Sequence, residues 1–179
     1  EKQYDRSGYK KIGEYLGREN ATDKLWGYFE VGKPAIDEYL VEIGEEDKKT
    51  ECLKIYREHV PEITLYDGVV KMIEDLKAKG IKVGIITDGR PEGQRNKVKA
   101  LGLDSLIDDI IITDELDGSQ FRKPCDIAFR IMQNRWRLPY EQIVYVGDNP
   151  NKDFQACRQL GMRWKYFRNE DGLYYQDEI

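Results

Sequence analysis

The segment GDNPNKD, Gly147 to Asp153, carries two aspartates whose spacing suits metal chemistry. Gly147 and Asp148 directly follow the apolar run Ile143–Val146, and Asp153 comes five residues after Asp148, where a helix is expected to begin. A strand that ends in Gly-Asp and leads into a helix can aim both carboxylates at one point, and Mg²⁺ prefers such oxygen ligands. The spacing therefore predicts a magnesium site at Asp148 and Asp153. The alternatives are a plain turn and an acidic residue in the first turn of a helix.

A second group of residues suits the binding of phosphate. Thr87 ends the apolar run Ile81–Thr87 and precedes Asp88, Gly89 and Arg90. The Thr87 hydroxyl and the backbone N–H groups that follow it can hold a phosphate oxygen, so Asp88 and Gly89 are expected to bind substrate. The alternative is a threonine that finishes a strand before a turn. Arg90 contacts either substrate or solvent in this interpretation.

Lys123 is the positively charged residue best placed to bind the same phosphoryl group as Thr87. It lies directly before Pro124, where a helix is expected to begin. An ammonium group at that position can lie against a phosphoryl group, although most single lysines are solvated. Arg122 contacts either substrate or solvent, and Asn149 either caps the next helix or contacts the site.

The elements that must position these residues divide the chain into two parts. Residues 1–62 show only helical patterns, which predict a small helical bundle. Residues 63–179 alternate helices and strands, which predicts an α/β fold with a parallel sheet and helices on both of its faces. Ligands bind at the carboxyl ends of the strands in such sheets, where Thr87, Asp88 and Asp148 are expected to lie.

Composition excludes several classes of function. The net charge of −5 and the pI near 5.1 argue against nucleic acid or an acidic membrane as a partner. No apolar run is long enough to span a membrane. The three cysteines lack metal-ligand spacing and indicate reduced thiols, so the protein is expected to be cytoplasmic. The single histidine, His59, favours neither a zinc site nor a Ser-His-Asp triad.

In their order, these motifs resemble those of the haloacid dehalogenase-like (HAD) superfamily of phosphohydrolases. The segments IITDG, RKP and VYVGDNPNKD match three of its four motifs, and the resemblance extends from about Tyr66 to Phe167. It implies a Rossmann-like core, a small helical cap, Mg²⁺ and hydrolysis of a small phosphorylated metabolite. In that mechanism Thr87 and Lys123 are catalytic and stabilise phosphoryl oxygens, while Asp148 and Asp153 hold the metal.

The first motif of the superfamily, an Asp-x-Asp at the end of a central strand, has no match here. Residues before Tyr9 form no apolar strand, and Asp5 has no second aspartate two positions away. We therefore expect a truncated form that lacks the first core strand and its nucleophile, and that is inactive by itself. The alternatives are a non-catalytic binding or assembly module, alone or within a larger multidomain protein, and a sheet completed by an upstream segment, another domain or another chain.

Overall fold

Residues 1–169 and residue 172 are described by a computed structural model, in which the chain forms two units. The first unit consists of residues 1–66 and 95–103. The second consists of residues 67–94 and the chain from residue 104 onward. The expected boundary between residues 62 and 63 lies near the first of these divisions, and the assignment of the two parts as cap and core stays a prediction.

The first unit is helical because its apolar residues recur with the period of a helix. Its elements are α1 (Lys2–Leu16), α2 (Ala21–Glu30), α3 (Ala35–Ile43) and α4 (Lys49–Glu58). Helices α1 and α3 end at Gly17 and Gly44, whose φ angles of 66° and 69° lie in the left-handed region that glycine adopts without strain.

The core of this unit comes from the apolar faces of all four helices. Ile12, Leu25 and Cys52 are fully buried, and Tyr9 and Tyr39 pack into the same cluster. The face of α1 that the sequence predicts, with Tyr9 and Ile12 one turn apart, is the face that the bundle buries. Packing of this face stabilises helices that would be marginal in isolation.

A polar cluster lies at one side of the same unit. The Tyr56 hydroxyl donates to the Asp5 carboxylate, and the Tyr4 hydroxyl donates to the backbone carbonyl of Tyr56 at 3.1 Å. Lys97 Nζ lies 4.1 Å from the centre of the Tyr4 ring. Burial raises the pKa of Asp5 and lowers the pKa of Lys97, because it disfavours the charged form of each group.

His59 belongs to this cluster and is 7% exposed. Its Nδ1 atom lies 2.8 Å from the carbonyl oxygen of Tyr56, which can only accept, so Nδ1 carries the proton of the neutral ring. Its Nε2 atom is buried and has no hydrogen-bond partner among the described residues. Burial therefore lowers the pKa of His59, since a second proton at Nε2 would place an unsolvated charge there.

The second unit alternates helices and strands. Its elements, with α6 and α7 shared between the units, are α5 (Val69–Ala78), β1 (Gly84–Thr87), α6 (Pro91–Ala100), α7 (Leu103–Leu106), β2 (Asp109–Ile112), α8 (Ile127–Trp136), β3 (Val144–Gly147), α9 (Gln155–Leu160) and β4 (Arg163–Tyr166). The predicted α/β class with parallel strands is confirmed.

The described strands form two parallel pairs. β1 pairs with β2 from Gly84 opposite Asp109 to Thr87 opposite Ile112. β3 pairs with β4 from Val144 opposite Arg163 to Gly147 opposite Tyr166. Within the residues that the structure describes, β1 and β3 are hydrogen-bonded on one side only, and β1 is the first strand of the chain.

The two pairs share a hydrophobic core. Ile86 of β1 packs against one cluster built on Phe129 and Met162 and against another built on Ile111 and Met132. Helix α8, which supplies Phe129 and Met132, therefore packs against both pairs. This packing brings the carboxyl ends of β1 and β3 to the same region.

Several elements are shorter than the sequence predicts. The first strand begins at Gly84 and not at Ile81, because the Asp108 carboxylate accepts the Val83 N–H at 2.8 Å in place of a strand partner. The last helix begins at Gln155 and not at Asn151. Residues 150–154 form turns instead, since the Asn149 side chain accepts the backbone N–H of Asn151 at 3.1 Å.

The helix expected to open at Pro124 begins at Ile127. The segment before it forms a turn, in which Cys125 N–H donates to the carbonyl of Arg122 at 3.0 Å. Among the described residues, the helices are all too short or too polar to cross a lipid bilayer.

Substitution of Leu25 by alanine should destabilise the helical unit by about 2 to 5 kcal/mol, because it leaves a cavity at a fully buried position. Val41→Ala on the exposed side of α3 is the matched control, with an expected change within about 0.5 kcal/mol. Urea unfolding monitored by circular dichroism measures both. Equal stability of the two variants would contradict the packing described here.

His59 should titrate below its ordinary pKa. Because it is the one histidine of the sequence, its ring protons can be followed by NMR without assignment. The imidazole of the unfolded chain then takes up a proton more readily than that of the folded protein. His59 therefore lowers the free energy of unfolding as pH falls below about 6.5, and has no such effect at higher pH. His59→Gln should remove this loss, and a midpoint at or above 6.5 would contradict the buried neutral ring.

Candidate functional site

Asp88, directly after β1, joins the loops that follow the other strands. One oxygen of its carboxylate accepts from the Thr113 hydroxyl and from the backbone N–H of Lys123, both at 3.1 Å. The other oxygen lies 3.1 Å from Lys152 Nζ. Thr113 follows β2 and Lys152 follows β3, so this one carboxylate connects three strand ends. The carboxylate is therefore held by protein groups, and its expected contact with substrate stays a prediction.

Lys123 forms a buried ion pair with Asp153. Lys123 Nζ lies 2.8 Å from Asp153 Oδ1, and the two side chains are 10% and 3% exposed. The same nitrogen lies 2.9 Å from the hydroxyl oxygen of Tyr145. Burial by itself lowers the pKa of Lys123, but Tyr145 and Asp153 outweigh it and hold the pKa above its ordinary value. The ammonium is therefore charged at neutral pH.

Gly147 allows the Asp153 carboxylate to approach the strand end. A Cβ atom at residue 147 would lie 2.5 Å from Asp153 Oδ2, a distance that no carbon can occupy. The same oxygen accepts the backbone N–H of Asn149 at 2.9 Å. Gly147 therefore allows the turn that follows β3 and also leaves room for the Asp153 carboxylate.

Tyr145 is a site residue that the sequence analysis missed. It lies on β3 between Val144 and Val146, which are exposed, and its ring packs edge-on against Phe129 with centroids 5.0 Å apart. Burial is the main cause that raises its pKa to about 12, so the hydroxyl is neutral at physiological pH. The available signal was an aromatic residue with a polar tip, two positions before Gly147 in an otherwise aliphatic strand.

The loop after β1 holds the other predicted phosphate-binding residues. The Thr87 hydroxyl donates to the Gln94 side-chain oxygen at 2.8 Å. Gly89 has a φ of 133°, and a Cβ atom there would lie 2.8 Å from the Gln94 side-chain nitrogen. Gln94 therefore occupies the space beside Thr87 and Gly89, while Arg90 is exposed.

Arg122 has a partner within the protein. Its guanidinium forms two hydrogen bonds with the Asp114 carboxylate, at 2.7 and 2.6 Å. This pairing lowers the pKa of Asp114. From the sequence, Arg122 was expected to contact either substrate or solvent. In the structure it forms an ion pair with Asp114.

The predicted metal ligands were tested against the donors that the structure provides. In the described part of the chain, no three His, Cys, Asp or Glu side chains are grouped so that they could hold a metal ion. Mg²⁺ is often bound by one or two carboxylates together with waters and substrate phosphates. Asp153 Oδ1 is buried and lies 2.8 Å from Lys123 Nζ, so a metal ion bound there would have to share this oxygen with the ammonium. By their chemistry Asp148 and Asp153 supply the two carboxylates of such a site, and their roles as metal ligands stay predictions.

Comparison with known proteins places the chain in a family of hydrolases. The profile described as "Haloacid dehalogenase-like hydrolase" matches residues 19–166. A glyceraldehyde 3-phosphate phosphatase of Methanocaldococcus jannaschii is 33% identical over 152 residues, which cover 80% of this chain and 65% of that protein. A phosphoserine phosphatase of Thermus thermophilus is 28% identical over 101 residues, or 56% of this chain and 41% of that protein. The chain thus spans less than two thirds of the length of these relatives.

Solved structures show the same fold at low sequence identity. A HAD-hydrolase, YfnB of Bacillus subtilis bound to magnesium, has a TM-score of 0.68 and 18% identity, with 96% of this chain and 82% of that chain covered. A phosphoglycolate phosphatase predicted in Haemophilus somnus has a TM-score of 0.55 and 26% identity, with 73% and 60% covered.

Gly147→Ala should displace the Asp153 carboxylate and destabilise the protein by about 1 to 3 kcal/mol, because the added methyl group has no room. Gly27→Ala, in the interior of α2 with open space around it, is the matched control and should stabilise by up to about 1 kcal/mol. Thermal and urea unfolding measure both. Full stability of the first variant would rule out the close approach.

Lys123→Met should destabilise the protein by about 3 to 5 kcal/mol, since it leaves the Asp153 carboxylate buried without its counter-charge. Lys71→Met removes an exposed lysine from its pair with Asp75, and its cost should stay below about 1 kcal/mol. Urea unfolding of the two variants compares a buried pair with an exposed one in the same unit. A similar small loss in both would show that the buried pair is not needed for folding.

Proposed function

Because this chain belongs to the haloacid dehalogenase-like hydrolase family, we propose that it carries the phosphate-binding and magnesium-binding part of a phosphatase that acts on small phosphate monoesters. The observation that supports this most directly is the buried Lys123–Asp153 pair beside the ends of β1 and β3. A charged lysine held in place at such an edge suits a phosphoryl group better than it suits a purely structural role.

The phosphoryl group would be bound by residues of two loops. The Lys123 ammonium would stabilise the charge that develops on a phosphoryl oxygen. Thr87 and the backbone N–H groups at Asp88 and Gly89 would donate to the other oxygens. In the structure the Thr87 hydroxyl donates to Gln94, so substrate binding would require it to rotate away from that partner. Arg90, exposed at the end of the same loop, would contact the rest of the substrate.

Asp148 and Asp153 would hold Mg²⁺ in this proposal, with Asp148 as the direct ligand. The ion would neutralise charge on the phosphoryl group and orient it. Asp153 has a second task, because it also keeps Lys123 charged and directed toward the site. The pair would thereby link the metal side of the site to the phosphate side.

The attacking carboxylate would come from a segment that adds a strand between β1 and β3. Those two strands are not hydrogen-bonded to each other in the described residues, and Val144 and Val146 of β3 are 48% and 55% exposed. An inserted parallel strand would hydrogen-bond to β1 and β3 on the sides that lack a strand partner among the described residues, and would bring its carboxyl end to Thr87 and Asp148. The carboxylate oxygen would then attack phosphorus and form an acyl phosphate, while the ester oxygen leaves as an alcohol after taking a proton. Water would hydrolyse the acyl phosphate, which releases phosphate and restores the carboxylate.

Two substrates follow from the relatives. The curated proteins named above are a glyceraldehyde 3-phosphate phosphatase and a phosphoserine phosphatase. Both names denote small phosphorylated metabolites, so these two esters are the first to assay with Mg²⁺ and with a chelator. A longer form of the protein that includes the upstream strand should hydrolyse a phosphate ester. Phosphate binding without turnover by that form would favour a non-catalytic binding module instead.

Asp148→Asn should weaken Mg²⁺ binding by about tenfold or more, because it replaces a charged ligand by a neutral one. Isothermal titration with Mg²⁺ measures this independently of turnover. Glu141→Gln removes an exposed carboxylate shortly before β3 and should leave the affinity unchanged. Equal losses in both variants would point to bulk electrostatics and against a ligand role for Asp148.

A further inference from the structure

We propose that Tyr145 is a positioning residue, which fixes the ammonium group of Lys123 so that one of its N–H bonds is directed at a phosphoryl oxygen. The inference rests on the proposed function, since it concerns the same site. It deepens that function by adding a residue that lies outside the loop motifs and within a strand.

The donor and acceptor capacities of the groups determine their roles. A lysine ammonium has three N–H donors and no acceptor, so the Tyr145 oxygen at 2.9 Å must accept. Asp153 Oδ1, at 2.8 Å, attracts a second N–H. The third N–H is left for a group outside this set. Two fixed contacts on a tetrahedral nitrogen determine the direction of the third.

Asp153 alone would not fix that direction. A single contact leaves the ammonium able to rotate about the line from Nζ to Oδ1, so the ion pair at 2.8 Å does not by itself set the direction of the other N–H bonds. The contact with Tyr145 meets the hydrogen-bond geometry, and hydrogen bonds are directional whereas charge attraction is not. The tyrosine therefore supplies the second contact that completes the orientation, and the aspartate supplies the counter-charge.

Tyr145 is itself held firmly enough for this role. It lies on β3, opposite Trp164 in the parallel pair with β4. Its ring packs at 68° against Phe129 of α8, and Lys123 Nζ lies 5.5 Å from the ring centre. A side chain on a strand, packed against a helix, places its polar tip more precisely than a loop residue does.

The test compares Tyr145→Phe with Tyr140→Phe. Tyr140 packs against the same hydrophobic cluster, and its hydroxyl makes no contact with Lys123 among the described residues. Each variant loses one hydroxyl group and keeps its ring. Lys123→Arg identifies the NMR signal of the Lys123 ammonium in protein labelled with ¹⁵N-lysine.

The first readout is the exchange rate of the Lys123 ammonium protons with water, which needs neither substrate nor turnover. We expect Tyr145→Phe to accelerate this exchange several-fold and Tyr140→Phe to leave it unchanged. An unchanged rate in Tyr145→Phe would overturn the proposal. So would equal acceleration in both variants, because it would reflect general loosening of the core.

The second readout is the dissociation constant of inorganic phosphate. Tyr145→Phe should weaken phosphate binding by about tenfold, as expected for one lost orienting hydrogen bond, and Tyr140→Phe should not. Equally tight binding by Tyr145→Phe would overturn the positioning role while the phosphate site stands. If the wild-type protein neither binds phosphate nor hydrolyses any ester, the proposed function fails, and the exchange rates still decide whether Tyr145 fixes Lys123.

Discussion

The buried pair of Lys123 and Asp153 is the interaction on which the site depends. Removing two charges from water costs free energy that their attraction repays only when further hydrogen bonds satisfy both groups. The structure provides them: Tyr145 accepts from Lys123, and the backbone N–H of Asn149 donates to Asp153. Even the backbone is adapted, because any residue larger than glycine at position 147 would collide with the Asp153 carboxylate. The pair thus constrains a strand end, a turn and the loop before α8 together.

Asp88 extends the same constraint across the second unit. It binds the hydroxyl of Thr113, the backbone of Lys123 and the ammonium of Lys152, each of which belongs to a different loop. The Asp88 carboxylate therefore holds three loops close together at the strand ends. The cost of such an arrangement is that the residues of the site are held by one another. Substrate would have to compete with internal partners, as the contact between Thr87 and Gln94 illustrates.

The helical unit is stabilised in a different way. Its stability comes from apolar faces with helical period, and its ionisable groups are buried as a by-product of close packing. Gly8 shows how close this packing is, since a Cβ atom there would lie 2.6 Å from the ring of Tyr56. Asp5, His59 and Lys97 are consequently kept in environments that disfavour their charged forms. This unit is sensitive to pH through desolvation, whereas the site is held by compensating charges.

The sequence by itself determined the α/β class, the helical first part and the positions of Thr87 and Asp148 at the ends of strands. These features follow from local periodicity and from glycine and proline, which act over a few residues. Only the tertiary structure decided that Lys123 pairs with Asp153 and contacts Tyr145, and that Arg122 pairs with Asp114. Those contacts join residues far apart in the chain or on opposite sides of a turn. The packing of the strands against α8 determines which residues come into contact, and a local sequence pattern does not contain that information.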